Sequence, residues 1–174
     1  KCIVLGRVST LNNLVHVIED NHFNNVDEIL TWDGELSKFQ EVCSNELINI
    51  IGKNTEHLLW AVTGAGKTEM LFKPIAEALR KNFRVAIASP RVDVCNELYP
   101  RLDKAFKEID KVLLHGRSEE TYRYTQLVVC TTHQLYRYPK CFDLLILDEF
   151  DAFPYRGNEV LESMLKRSIK GHYI

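Results

Sequence analysis

Lys67 and Thr68 close the stretch Ala61-Val62-Thr63-Gly64-Ala65-Gly66-Lys67-Thr68, whose residue types and spacing suit a cradle for a triphosphate. The short apolar run Leu58-Leu59-Trp60 precedes it, and a helix-like stretch from Lys67 to Leu79 follows. In a strand–glycine turn–helix unit, backbone N–H groups of the turn and helix N-terminus converge on anionic oxygens. Thr63, Gly64, Ala65 and Gly66 line that turn, Lys67 adds a point charge to the β- and γ-phosphates, and the Thr68 hydroxyl ligates Mg²⁺. Ala61 stands where such loops usually carry their first glycine; Gly64 and Gly66 remain where the backbone must approach phosphate.

A second cluster supplies carboxylates. The continuous apolar run Leu144-Leu145-Ile146-Leu147 leads straight into Asp148-Glu149-Phe150-Asp151. Such a run predicts a strand buried on both faces of a parallel sheet. Carboxylates at its C-terminal end sit where open α/β sheets bind ligands. Asp148 is placed to hold Mg²⁺ through water, and Glu149 to polarise an attacking water as general base. Each cluster has a plainer alternative, a chance glycine turn or a solvated acidic cap. Together they indicate ATP hydrolysis, with Lys67 and Glu149 as the catalytic pair.

The elements that must position these groups alternate. Residues 1–34 show apolar alternation at Leu14-Val15-His16-Val17-Ile18 and an Asn-rich stretch, which predicts a small β-rich extension. Thr31-Trp32-Asp33-Gly34 is turn-like, and Ser37 caps a helix to about Ile51. Beyond the phosphate loop come a strand at 84–88, a helix over about 92–107 with Pro100 inside it, and strands at 111–114, 127–130 and 144–147. A last helix spans about 158–168. Alternation of this kind predicts a mostly parallel central sheet with helices on both faces, over 35–174.

Two further loops bear on the class of ATPase. Ser89-Pro90-Arg91 and Thr131-Thr132 each follow a strand and open a helix, so their N–H groups and hydroxyls can grip phosphate. Arg91 adds a charge-assisted bond to the same anion. In an ATPase walking on a single strand, such loops hold the sugar-phosphate backbone without reading sequence. The alternative for Ser89 and Thr132 is a helix N-cap.

Composition sets limits. The 174 residues are 45% hydrophobic, enough for one domain with a sizeable core. A net charge of −2 gives no global basic field, so nucleic acid must meet a local patch. No run approaches the roughly 18 apolar residues of a membrane span, and no signal peptide is visible. Five scattered cysteines fit reduced, mostly buried thiols in a cytoplasm.

In order and spacing, Ala61 to Thr68, Ser89 to Arg91, Thr131-Thr132 and Asp148 to Asp151 resemble motifs I, Ia, Ib and II of superfamily 2 helicases and translocases. Within them the chain is similar to the ComFA family of late-competence DNA-translocase ATPases. Trp60 to Met70, Ser89 to Asp93, Glu97 to Arg101, Thr132 to Leu135 and Asp148-Glu-Phe-Asp-Ala-Phe-Pro-Tyr-Arg-Gly157 carry that match. The resemblance implies the first RecA-like P-loop domain of a motor that uses ATP and Mg²⁺ to pull transforming single-stranded DNA into the cytoplasm. Its expected partners are other competence proteins and the uptake channel, at the inner face of the membrane. It also places Gln40 where helicases carry an adenine-reading glutamine; a carboxamide can pair with the N6 and N7 edge of adenine.

Departures from the family pattern carry expectations too. The family has a second RecA-like domain whose arginine reaches the γ-phosphate, so these residues alone are expected to bind ATP and barely hydrolyse it. Its amino-terminal four-cysteine zinc site has only Cys2 as a counterpart here, so no zinc is expected. Other readings are a different superfamily 2 helicase such as a replication-restart type, a small-molecule phosphotransferase, and a nucleotide-binding module without turnover.

Overall fold

Four apolar runs and one polar one build a five-stranded parallel sheet. In the computed structural model, which describes residues 17–53, 55–62, 64–149 and 157–173, β1 is Val85–Ser89, β2 Lys111–Leu114, β3 Leu127–Thr131, β4 Phe142–Leu147 and β5 Ile169–Tyr173. Their order across the sheet is β2-β3-β1-β4-β5. Register is continuous through the middle, with Ala88 beside both Cys130 and Leu147. β1 and β3 are buried along their whole length, because helices cover both faces.

The helices are α1 (Lys38–Ile50), α2 (Lys67–Arg80), α3 (Val92–Ala105) and α4 (Glu159–Ser168), with a 3₁₀ turn at Thr132–Arg137. Alternate strand residues feed two cores. Val85, Ile87, Leu127, Val129, Leu144 and Ile146 pack with α1, α2 and α3 on one face. Ala86, Ala88, Val128, Cys130 and Leu145 pack on the other with the 3₁₀ turn and with Leu161 and Leu165 of α4. From β1 the chain leaves through α3 toward β2, whereas β4 leaves through α4 toward β5 on the opposite side. The strand order therefore reverses between β1 and β4, and the crevice at their carboxyl ends is the place where such sheets take ligands.

Three expectations need amendment. Leu58, Leu59 and Trp60 form no strand; Leu59 packs on the core while Leu58 and Trp60 are exposed, and the run lies outside the five-stranded sheet. Conversely, Ile169–Tyr173, left unassigned by its mixed composition, pairs with β4 from Phe142↔Ile169 to Leu145↔Tyr173, with an irregularity between Phe142 and Leu144. Residues 17–37 hold no strand either; the rest of the expected β-rich extension, 1–16, lies outside the described residues. This segment is fixed by side chains instead of a ladder. Asn21 Nδ2 donates to the Asn82 carbonyl (2.9 Å) and to Asp143 (2.8 Å), and Thr31 binds the end of α3 through its N–H to the Ala105 carbonyl at 2.8 Å. Trp32 packs edge-on against Phe72 of α2, with ring centroids 5.4 Å apart.

Candidate nucleotide and strand site

The phosphate loop is built by two glycines in the left-handed region. Gly64 has φ +80° and Gly66 φ +74°, conformations that side chains rarely adopt. A Cβ on Gly66 would also lie 2.5 Å from Gln40 Nε2, so a larger residue there, besides straining the backbone, would displace that carboxamide. Gly66 is the N-cap of α2 and offers no side-chain cap, and the first helical bond runs from Met70 N–H to the Gly66 carbonyl. The preceding N–H groups of Lys67, Thr68 and Glu69 are thus left for an anion. Lys67 and Thr68 are both half-buried, and Lys67 forms no ion pair among the described residues. This arrangement fits a nucleotide triphosphate. Thr63 and Asp151 lie outside the described residues.

Gln40 joins this loop from α1. Ser37 and Gln40 form a capping box, in which Gln40 Oε1 accepts from the Ser37 N–H at 2.8 Å. The other end of the same carboxamide, Nε2, donates to the Ala65 carbonyl at 2.8 Å. Two ion pairs hold α2 to its neighbours: Lys73 with Glu41 of α1 at 2.9 Å, and Arg101 of α3 with Glu69 in the first turn of α2. The second of these neutralises a carboxylate beside the loop.

At the crevice between β1 and β4, Asp148 extends β4, donating its N–H to the Ala88 carbonyl at 2.9 Å. Asp148 Oδ1 in turn accepts from the Glu149 N–H at 3.0 Å. That bond accompanies a left-handed backbone at Glu149, φ +54°. Asp148 and Thr68 are the side chains suited to Mg²⁺, and their oxygen donors match a hard cation.

The residues expected to grip a strand separate in an unexpected way. Ser89, Pro90, Thr131 and Thr132 are all buried, because the carboxyl ends of β1 and β3 are covered. The Ser89 hydroxyl accepts from the Arg91 N–H at 3.3 Å, and Thr132 Oγ1 is a buried oxygen with no partner among the described residues. Neither hydroxyl caps its helix: Arg91 and Thr131 occupy the N-cap positions without side-chain bonds. Only Arg91 among the five is exposed. Its guanidinium binds Asp93 through Nε at 3.2 Å and through Nη2, and reaches Glu149 Oε2 through Nη1 at 3.4 Å. Hydrogen bonding to Asp93, then the charges of Asp93 and Glu149, raise the Arg91 pKa, and the same bond lowers that of Asp93. The Arg-x-Asp spacing of 91 and 93 was the available signal for this pair; nothing in the sequence pointed from Arg91 to Glu149.

The described cysteines are unpaired, three of them buried, and burial pushes the Cys95 thiol up to about 11. No helix among the described residues is long and apolar enough to cross a membrane.

Residues 37–171 match the DEAD/DEAH box helicase family. The chain is 46% identical over 169 residues to the competence protein ComFA of Bacillus subtilis (strain 168), covering 97% of this chain and 36% of that protein. It is 44% identical over 170 residues to ComFA of Streptococcus pneumoniae, covering 98% of this chain and 38% of the relative. It thus spans little more than a third of either relative. The Sulfolobus solfataricus SWI2/SNF2 ATPase core, solved in complex with dsDNA, superposes with a TM-score of 0.66 at 17% identity, over 87% of this chain and 33% of that one. That likeness is one of fold, the parallel α/β sheet of helicase motor domains. With 135 of its positions matched, the chain belongs to the DEAD/DEAH box helicase family.

Proposed function

We propose that these residues form the nucleotide-binding first motor domain of a single-stranded DNA translocase that powers uptake of transforming DNA in natural competence. The observation that carries the ATPase reading is the uncapped α2 N-terminus behind Gly64 and Gly66. The relatives named as competence proteins support the biological role. ATP phosphates lie against the free N–H groups at the start of α2, with Lys67 on the β- and γ-oxygens. Gln40 holds the loop through Ala65 and keeps a second amide proton for adenine. Thr68 and Asp148 would hold Mg²⁺, which would supply charge neutralisation at the transferring phosphoryl group. Glu149 orients water and takes its proton.

Strand contact in this reading centres on Arg91, the exposed member of the five residues. The protein works on the cytoplasmic side of the membrane, beside the uptake channel and other competence proteins. The test is steady-state phosphate release by the natural-length protein with and without single-stranded DNA. A rate stimulated by DNA and lost in Glu149→Gln is expected. A rate indifferent to DNA points to a small-molecule phosphotransferase and overturns the translocase reading.

A further inference from the structure

We propose that Arg91 is a positioning residue for Glu149, holding that carboxylate in the absence of DNA and releasing it when a strand phosphate takes the guanidinium. The proposal rests on the site reading above and adds a coupling to it. Arg91 and Glu149 come from loops on the two sides of the crevice, after β1 and after β4, and meet at 3.4 Å. One guanidinium is thereby shared by two carboxylates, Asp93 and Glu149. The Glu149 contact is the longer, so it is the one a competing anion displaces first. The phosphodiester is such an anion, because the planar fork of arginine binds phosphate oxygens in pairs.

Glu149 is placed to feel the difference. Its left-handed backbone and the bond from its N–H to Asp148 fix where its side chain starts, leaving the carboxylate direction to the arginine. A carboxylate oxygen engaged by a guanidinium has its direction set by that contact and is not free to turn toward an attacking water. Removing the cation restores its freedom to turn. Because Ser89, Pro90, Thr131 and Thr132 are buried, the exposed side chain best able to sense a strand at this crevice is the one on the base. Binding of the backbone and activation of the base then draw on a single side chain.

The sign of the effect separates this from plain support. The test measures ATPase rates of the natural-length protein, without DNA and with saturating oligothymidylate, in wild type, Arg91→Ala, Arg91→Gln and each combined with Glu149→Gln. Strand affinity is followed by fluorescence anisotropy. Both single variants should raise the DNA-free rate about two- to fivefold, the range over which an exposed ion pair biases a side chain. The rate at saturating strand should stay at the wild-type value, so the stimulation ratio shrinks by the same factor. Glu149→Gln should erase the gain. A DNA-free rate at or below wild type, in a protein whose wild type is stimulated by strand, overturns the coupling and leaves the translocase reading standing. A gain that survives Glu149→Gln overturns it as well. A wild type that DNA does not stimulate removes the reading beneath it.

Discussion

Gln40 Nε2 donates to the carbonyl of Ala65 at 2.8 Å, so the side chain that completes the cap of α1 also holds the crest of the phosphate loop. Gln40→Ala removes both contacts at once. A lost cap partner and a lost part-buried hydrogen bond each cost about 1 kcal/mol, giving about 1–2 kcal/mol of destabilisation in urea unfolding. If the carboxamide also pairs with the adenine edge, as proposed above, ATP should lose affinity more than GTP. Equal losses for the two nucleotides in calorimetric titrations would show that Gln40 serves the loop alone.

His115, just beyond β2, accepts from the Arg117 N–H through Nδ1 at 3.1 Å and faces Asn96 Oδ1 through Nε2 at 3.0 Å. Burial first, and the charge of Arg117 second, lower its pKa from the usual 6.5. A depressed folded value means the neutral ring is favoured. Its contribution is therefore complete above about pH 6.5 and is lost as pH falls through the lower folded value. Protonation of Nδ1 also ejects the Arg117 N–H. An NMR titration of the His115 ring should give a midpoint below 6.5, with the Arg117 amide moving in step; a midpoint above 6.5 contradicts the contact.

Strands and helices with strong period were legible because their residues have one place to go. Val85–Ser89 and Leu144–Leu147 are apolar on both faces, and Ser37 marked the start of α1. Ile169–Tyr173 was not legible: Lys170, Gly171 and His172 carry no strand pattern, and pairing with β4 is what makes them extended. The opposite error occurred at Leu58-Leu59-Trp60, where composition favoured a strand and no ladder forms. Residue types located the glycine turn ahead of α2 and the carboxylates after β4, since glycine conformation and acid chemistry are local. The Arg91–Glu149 contact joins positions 58 apart and depends on which strands are neighbours, which residue types alone do not contain.

Arg84 is fully buried, and its charge is held by Glu19 through Nη1 at 2.6 Å, by the Thr125 carbonyl at 2.9 Å and by the face of Tyr124 at 4.9 Å. Burial opposes this charge, yet hydrogen bonds with Glu19 and Tyr122 outweigh it and raise the pKa. Glu19→Gln strips the counter-charge from a buried guanidinium. Full burial of both partners sets that cost at about 3–5 kcal/mol; with Glu19 partly exposed, about 2 kcal/mol is expected. Glu41→Gln, at the exposed pair with Lys73, should change stability by less than about 1 kcal/mol. Urea midpoints of the two variants give the comparison, and equal shifts would mean that Glu19 does not anchor the amino-terminal segment.

Lys67 forms no ion pair among the described residues and stands in the first turn of α2, beside N–H groups that no side chain caps. A bound nucleotide makes good that deficit. Lys67→Ala should then leave the fold intact, because the residue is half-buried and outside both cores. What it loses is a charge-assisted contact to phosphate, about 1.5–3 kcal/mol, or roughly ten- to a hundredfold in ATP affinity. Lys67→Arg should lie between, since the charge is retained while the forked head cannot occupy the space of an ammonium. The check is calorimetric titration of ATP alongside thermal unfolding of each variant without nucleotide. Unfolding temperatures should agree within a few degrees while the affinities spread. Equal ATP affinity in Lys67→Ala and wild type would place the phosphates somewhere other than this loop.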